Sequence, residues 1–251
     1  MLEYLSSYHL TPFQWSLAIV TAVVVGIGKS GLNALSTITV ATLAIVFGSK
    51  TSTGILLPML IVGDTLAVLY YKRHVNWASL FKLVPWVLIG ILIAVWVGKD
   101  LDEAVFKKMM AVIVLIIVAG MFWLDRNPTL KVPHSIWFSG VMGLATGFTT
   151  MIGNQAGGFA TIYWMSMRLT KNNFIGTHAW LFLFINIFKL PFHIFSWETI
   201  HYNSISVNIA LLPFLIIGFY IGVYIVRHIA DKHYNRVILW LTAAAAVCVF
   251  I

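Results

Sequence analysis

The chain has 251 residues, of which 60% are hydrophobic and 10% charged. Soluble domains carry roughly 25% charged residues, and a chain of this size has too much surface to cover with so few, so the surface faces lipid and a soluble enzyme is excluded. The formal net charge of +8 does not point to nucleic acid: the basic residues fall in short gaps between apolar runs, the pattern of membrane topology, with no basic-aromatic stripe.

Ten apolar runs follow one another. The first five are Leu17–Ile27, Leu32–Phe47, Ser52–Tyr71, Ser79–Gly98 and Val105–Leu124. The second five are Ile136–Thr149, Phe159–Met167, Phe174–Phe195, Ile205–Val226 and Val237–Ile251. A spanning helix needs about 20 apolar residues. The first two runs of each set are shorter and meet at polar, glycine-rich breaks, Gly26-Ile-Gly-Lys-Ser-Gly31 and Gly153-Asn-Gln-Ala-Gly-Gly158. Three runs, mostly full length, then follow. The last run is short, so its helix is expected to begin before Val237 or to end within the interface.

The order repeats once. Residues 1–124 form one expected transmembrane repeat and 135–251 a second. A polar cytoplasmic linker at 125–134, with Pro128 and Pro133, joins them. The predicted fold is an all-α integral membrane protein with two inverted repeats. In each, a broken-helix or re-entrant pair precedes three spanning helices.

Charge orients this plan. Alternation puts Lys72, Arg73, Lys82, Arg126, Lys131, Arg168, Lys171, Arg227, Lys232 and Arg236 on one side. The other side has Lys50, Lys99, Lys107 and Lys108, partly offset by Asp100, Asp102 and Glu103. The richer side is expected to be cytoplasmic, with both termini outside. Each half makes an odd number of crossings, so the second is inverted relative to the first, a recurring transporter design. If the short pairs are hairpins, their tips meet near the midplane. The start of the chain lacks the basic region and cleavage site of a signal peptide, so the first run is expected to be retained. Trp77, Trp123, Trp137 and Tyr202 sit near run ends as interfacial anchors.

Polar residues inside the runs are costly and mark function. In the first break, Lys29, Ser30, Gly31 and Asn33 combine a cation, a hydroxyl, an amide and glycine-freed backbone N–H groups at a helix start, which suits a small oxyanion. The competing reading is a lysine at the water interface in a tight turn. In the second break, Thr150, Asn154 and Gln155 supply uncharged donors, or merely small groups for close helix packing. Asp64, near Pro58 and Gly63, pairs with a lysine or carries a proton. Asn186 and Lys189, three residues apart, share a helix face; Lys189 contacts substrate or snorkels to the interface. His178 titrates as a coupling group or is a satisfied helix-end histidine.

Cofactor and enzyme motifs are missing. The single cysteine, Cys248, excludes an internal disulfide and a cysteine-based zinc or redox site. The histidines lack metal-ligand spacing. There is no phosphate-binding loop, nucleophile elbow or cluster of acids. No cofactor is therefore expected, and direct use of ATP is excluded within this chain. The expected partners are a small anion and the bilayer; protons and a second copy of the chain stay open.

The chain also resembles the TauE/SafE sulfite exporter family of bacterial membrane transporters. In the first half the likeness lies in Gly-Ile-Gly-Lys-Ser-Gly31, in Thr53-Gly-Ile-Leu-Leu-Pro58 running to Asp64, in Tyr71-Lys-Arg-His74 and in Trp77. In the second half it lies in Gly147-Phe-Thr-Thr-Met-Ile-Gly-Asn154, Gly176-Thr177 and Asn186-Ile-Phe-Lys189-Leu-Pro191. The resemblance implies a secondary transporter of the inner membrane, often an exporter, for sulfite or small organosulfonates such as sulfoacetate. Gly-Lys-Ser-Gly stands where many members have a run of glycines, so Lys29 tunes anion affinity or signals a different substrate. An anion channel or facilitator, and an assembly subunit without transport, are the alternatives.

Overall fold

The structure is a computed structural model that describes residues 10–126 and 135–250, apart from 73 and 156. Among the described residues it is all helical, without strands: α1 Pro12–Lys29, a 3-10 turn Asn33–Leu35, α2 Ser36–Phe47, α3 Ser49–Tyr71, α4 Trp77–Gly98, α5 Glu103–Arg126, α6 Ile136–Gly153, α7 Gly157–Ser166, α8 Lys171–Phe195, α9 Tyr202–His228 and α10 Asp231–Phe250. Six of these, α1, α3, α4, α6, α8 and α9, are long and apolar enough to cross a membrane. Apart from Asp125 and Arg126, which close α5, the expected linker lies outside the described residues.

Local chemistry sets the helix ends. Thr11 and Gln14 form a reciprocal capping box before α1, with Pro12 in the first turn. Asn76 accepts from Ser79 N at 3.0 Å to start α4, and Asp102 accepts from Val105 N at 2.8 Å to start α5. The first backbone N–H groups of α3 have a tertiary cap: Glu103 of α5 accepts from Ser49 N and Lys50 N. Helix α10 begins at Asp231, six residues before its apolar run, because that polar first turn ties to Lys171 of α8 at 3.0 Å.

Packing follows a reciprocal pattern across the halves. The first helix of each half packs on the fourth helix of the other, α1 on α9 and α6 on α4, while α3 and α8 cross at the centre. Small residues permit these contacts. A Cβ on Gly147 of α6 would lie 2.0 Å from Val87 O of α4, and one on Gly218 of α9 would lie 2.1 Å from Val23 O of α1. Gly54 near the start of α3 meets Thr199 O after α8 at 2.2 Å, and Gly176 near the start of α8 meets His74 O after α3 at 1.9 Å on the same construction.

Gly147→Ala is accordingly expected to lower stability by about 3 kcal/mol or more, because backbone rather than a pliable side chain occupies the space. Thermal unfolding in detergent, with Gly120→Ala as the tolerated control facing only Ile162 Cδ1 at 3.1 Å, checks this. Equal melting of the two variants would contradict the close α4–α6 contact.

The outer face of the bundle is apolar. Trp96, Trp137, Phe195 and Ile45 are each about four-fifths exposed, which in water would be an aggregating surface and in a bilayer is the lipid contact. Trp137 and Tyr202 lie exposed in the first turns of α6 and α9, where the sequence places interfacial anchors.

Candidate functional site

Both breaks are turns with specific backbone chemistry. After α1, Ser30 bonds back to Ile27 O through its hydroxyl at 2.7 Å, and Gly31 takes a φ of +134°, which only glycine adopts at ease. After α6, Asn154 closes the helix in the left-handed region at φ 54°, its N–H donating to Thr150 O at 3.0 Å. Asparagine tolerates that conformation better than other side-chain-bearing residues.

The turns do not meet tip to tip, contrary to the expectation for paired hairpins. Tyr71, at the C-terminal end of α3, donates its hydroxyl to Ser30 O at 3.0 Å, and Tyr234 of α10 donates to Gly31 O at 2.5 Å. Asn154 Nδ2 donates to Thr53 O, near the N-terminal end of α3, at 3.1 Å. Thr53 and Tyr71 are 18 residues apart, about 27 Å along a helix. The physical reason is length: α1 and α6 have 18 residues each, roughly 27 Å, so their turns lie near opposite ends of α3.

Functional groups gather in the overlap. Lys29 Nζ donates to Asp64 Oδ1 at 2.6 Å, and Asn186 Nδ2 donates to Asp64 Oδ2 at 2.7 Å. One turn along α8, Lys189 Nζ donates to Thr150 O at 3.0 Å, Thr150 Oγ1 at 2.9 Å and Asn154 Oδ1 at 2.6 Å. Two polar clusters thus lie one turn apart on α8 at its crossing with α3, one holding a residue of each break. Asp64 and Lys189 are almost wholly buried, and the Lys29 side chain is one-tenth exposed.

A central cavity of about 30 Å³ lies against these clusters. Lys29, Asn33, Thr150, Asn154, His178 and Asn186 line it, with Gly28, Thr39, Gly157 and Phe182 among the other walls. Phe182 presents its ring to Lys29, 5.1 Å from Nζ to the centroid. His178 is stacked between Phe174 and Phe182, at 5.9 and 4.3 Å between centroids. Its Nδ1 and the Oδ1 of Asn186 make no hydrogen bond among the described residues.

Not every sequence candidate reaches the cavity. Lys189 and Asp64 stand behind its wall, holding the groups that line it. Ser30 and Gly31 face the other way, toward Tyr71, Tyr234 and Gly222. Gln155 is buried, with its N–H on Thr149 O at 3.2 Å, but does not line the cavity. Sequence reasoning missed Thr39, Phe182, the two tyrosine hydroxyls and His193, whose Nδ1 meets Thr199 Oγ1 at 2.8 Å one turn beyond Lys189. A threonine or phenylalanine in an apolar run carries no signal of its own; His193 could have been found from its spacing of four after Lys189.

The chemistry available is electrostatic. With Lys29, Lys189 and Asp64 ionised, two cations face one carboxylate, leaving a buried charge of +1. Such a surplus is costly in the membrane interior, and a bound anion offsets it. Among the described residues no cluster of metal-ligating side chains occurs.

An apolar exterior, six membrane-competent helices and an internal polar site define a multi-pass integral membrane protein. The family described as Sulfite exporter TauE/SafE matches residues 17–249 of the chain, and the chain belongs to that family. It is therefore a membrane transporter of sulfite or related anions. No curated protein and no solved structure matches it.

Proposed function

We propose that the chain is a secondary transporter of the bacterial inner membrane that exports sulfite or a small organosulfonate such as sulfoacetate. The anion binds in the central cavity, and the two halves, as inverted repeats, open it alternately to either side. The observation that carries this reading is a pair of buried amines that share one carboxylate. Lys29 reaches the cavity bonded to Asp64, while Lys189, behind Thr150 and Asn154, has no carboxylate within ion-pair distance among the described residues. Thr150, Asn154 and Asn186 supply polar contacts that hold an oxyanion without fixing its charge.

The reciprocal packing of α1 on α9 and α6 on α4 supports the inverted repeat, and the cavity, lined from both halves, lies where a site opened alternately to either side is required. Export needs no proton: an anion leaving a negative interior gains roughly 2.3 kcal/mol per charge per 100 mV. Asp64 and His178 are the groups available for coupling if a proton is moved.

The test is sulfite and sulfoacetate flux in proteoliposomes. The expected result is saturable flux accelerated by anion on the opposite side, reduced at least tenfold by Asn154→Ala. Single-channel currents without counter-transport would replace the carrier with a channel. Unaltered flux and affinity in Asn154→Ala would sink the site assignment.

A further inference from the structure

Two larger cavities open at opposite ends of the bundle, and they differ in charge. The first, about 460 Å³, lies where α3 and α9 end and α8 begins; it is lined by Tyr70, Tyr71, His74, Lys171, Asn172 and Arg227, with Val226. The second, about 440 Å³, lies where α4 and α8 end, and its charged groups are Lys99 and Glu198, one of each sign.

In the first cavity Lys171 is matched by Asp231 at 3.0 Å. Arg227 has no carboxylate within ion-pair distance among the described residues. Its guanidinium instead donates to the Tyr70 hydroxyl and lies over the Tyr70 ring, 5.4 Å from the centroid. Those partners fix its position without neutralising it. Among the described residues no carboxylate lines this cavity. The first cavity is therefore electropositive and the second is balanced.

The floor of the electropositive cavity is the back of the first break. Tyr71 lines the cavity and caps Ser30 O; Val226 lines it and lies 3.4 Å from the position a Cβ on Gly31 would take. Lys29, just before that Ser30–Gly31 turn, and Asn33, two residues after it, line the central cavity. One turn of backbone is thus the wall between the two spaces.

We infer that the cavity around Arg227 is a second anion site, a vestibule that collects a small soluble oxyanion, a sulfonate or sulfite, before it passes the Ser30–Gly31 turn. Its purpose rests on the transporter reading; its existence does not. Arg227 holds the anion, while the opposite cavity, lacking net charge, does not accumulate anions. Basic clefts of this kind raise local anion concentration by about 10 to 10³-fold. The asymmetry favours capture at one face and release at the other.

The test needs no transport. Cys248, the single native cysteine, is replaced by alanine, and Asn172→Cys and Ser196→Cys place one thiol in each cavity. Each protein is reconstituted in zwitterionic lipid and modified with an anionic sulfonatoethyl and a cationic trimethylammonioethyl methanethiosulfonate. Relative to free thiol, the anionic-to-cationic rate ratio is expected to be about tenfold higher at position 172 than at 196. It should collapse in 1 M salt, where the Debye length is about 3 Å. Adding Arg227→Gln should remove most of the difference and Arg227→Lys should keep it, while sulfoacetate should slow modification at 172 alone. Equal ratios at the two positions would overturn the proposal. So would a preference that disappears when phosphatidylglycerol is added and that sulfoacetate never competes away, because the occupant would then be a lipid headgroup. Absent flux in the wild type would count against the transporter reading and leave these ratios unaffected.

Discussion

Lys189→Met is expected to reduce anion flux and affinity by about 100-fold while leaving the protein folded. Methionine matches lysine in length and keeps the packing against the fully buried site, but removes the charge and three donated hydrogen bonds. At an effective dielectric of about 20, a unit charge about 6 Å from an anion is worth roughly 3 kcal/mol, or two orders of magnitude in affinity. The cost in stability is set by the acceptors left behind. Thr150 O lies in the last turn of a helix, and its other hydrogen bond, from Asn154 N, survives. Asn154 Oδ1 and Thr150 Oγ1 lose a partner, at about 1–3 kcal/mol each. Equilibrium binding of sulfite, flux in proteoliposomes and thermal unfolding separate the two effects. A variant that unfolds earlier but still transports at the wild-type rate would make Lys189 a structural strut. Conversely, a large loss of affinity with a modest shift in melting identifies the charge as part of the anion site.

The features legible in the sequence were those that a single residue can announce. A lysine, an aspartate and a second lysine inside apolar runs are expensive wherever they sit, so Lys29, Asp64 and Lys189 stood out without knowledge of the fold. Asn186 was caught by its spacing from Lys189. Which of them touch was not legible, because the partners are 35, 122, 39 and 35 residues apart and are chosen by the crossing of α3 with α8. The sequence allowed Lys189 to snorkel outward; the crossing turns it inward onto α6. The apolar runs located the helices, yet polar first turns escaped them. Glu103 and Asp231 begin helices because the one caps α3 and the other pairs with Lys171, and neither tertiary contact leaves a local trace. The tyrosines that clamp the first turn were hidden similarly: nothing near Tyr71 or Tyr234 in the sequence announces that their hydroxyls reach Ser30 and Gly31. Paired short runs suggested tips meeting at the midplane, but 18-residue helices reach farther than half a bilayer, and the overlap of the two breaks, rather than their tips, forms the cavity.

The pair Lys29–Asp64 yields the sharpest contrast between two roles for an intramembrane carboxylate. Asp64→Asn keeps the shape of the side chain and its contact with Asn186 while removing the carboxylate that faces Lys29. Removing one partner of a buried ion pair typically costs roughly 3–5 kcal/mol, whereas replacing both partners is often near neutral. Asp64→Asn is therefore expected to melt well below the wild type, and the double variant Lys29→Met with Asp64→Asn to recover most of the difference. Because the single variant leaves Lys29 without its carboxylate, sulfite should raise its melting temperature more than that of the wild type, since a ligand that binds only the folded state stabilises it by an amount that grows with the logarithm of its affinity. An Asp64→Asn protein as stable as the wild type would show that Asp64 does not compensate Lys29. Coupling is read from the same variants. If the carboxylate serves charge compensation alone, the double variant, which no longer leaves Lys29 unpaired, keeps measurable flux, and a pH gradient affects it as it affects the wild type. If Asp64 carries a proton, neither variant responds to a pH gradient that accelerates the wild type, whatever its stability. A group that only compensates charge can be exchanged together with its partner; a group that carries the coupled proton cannot.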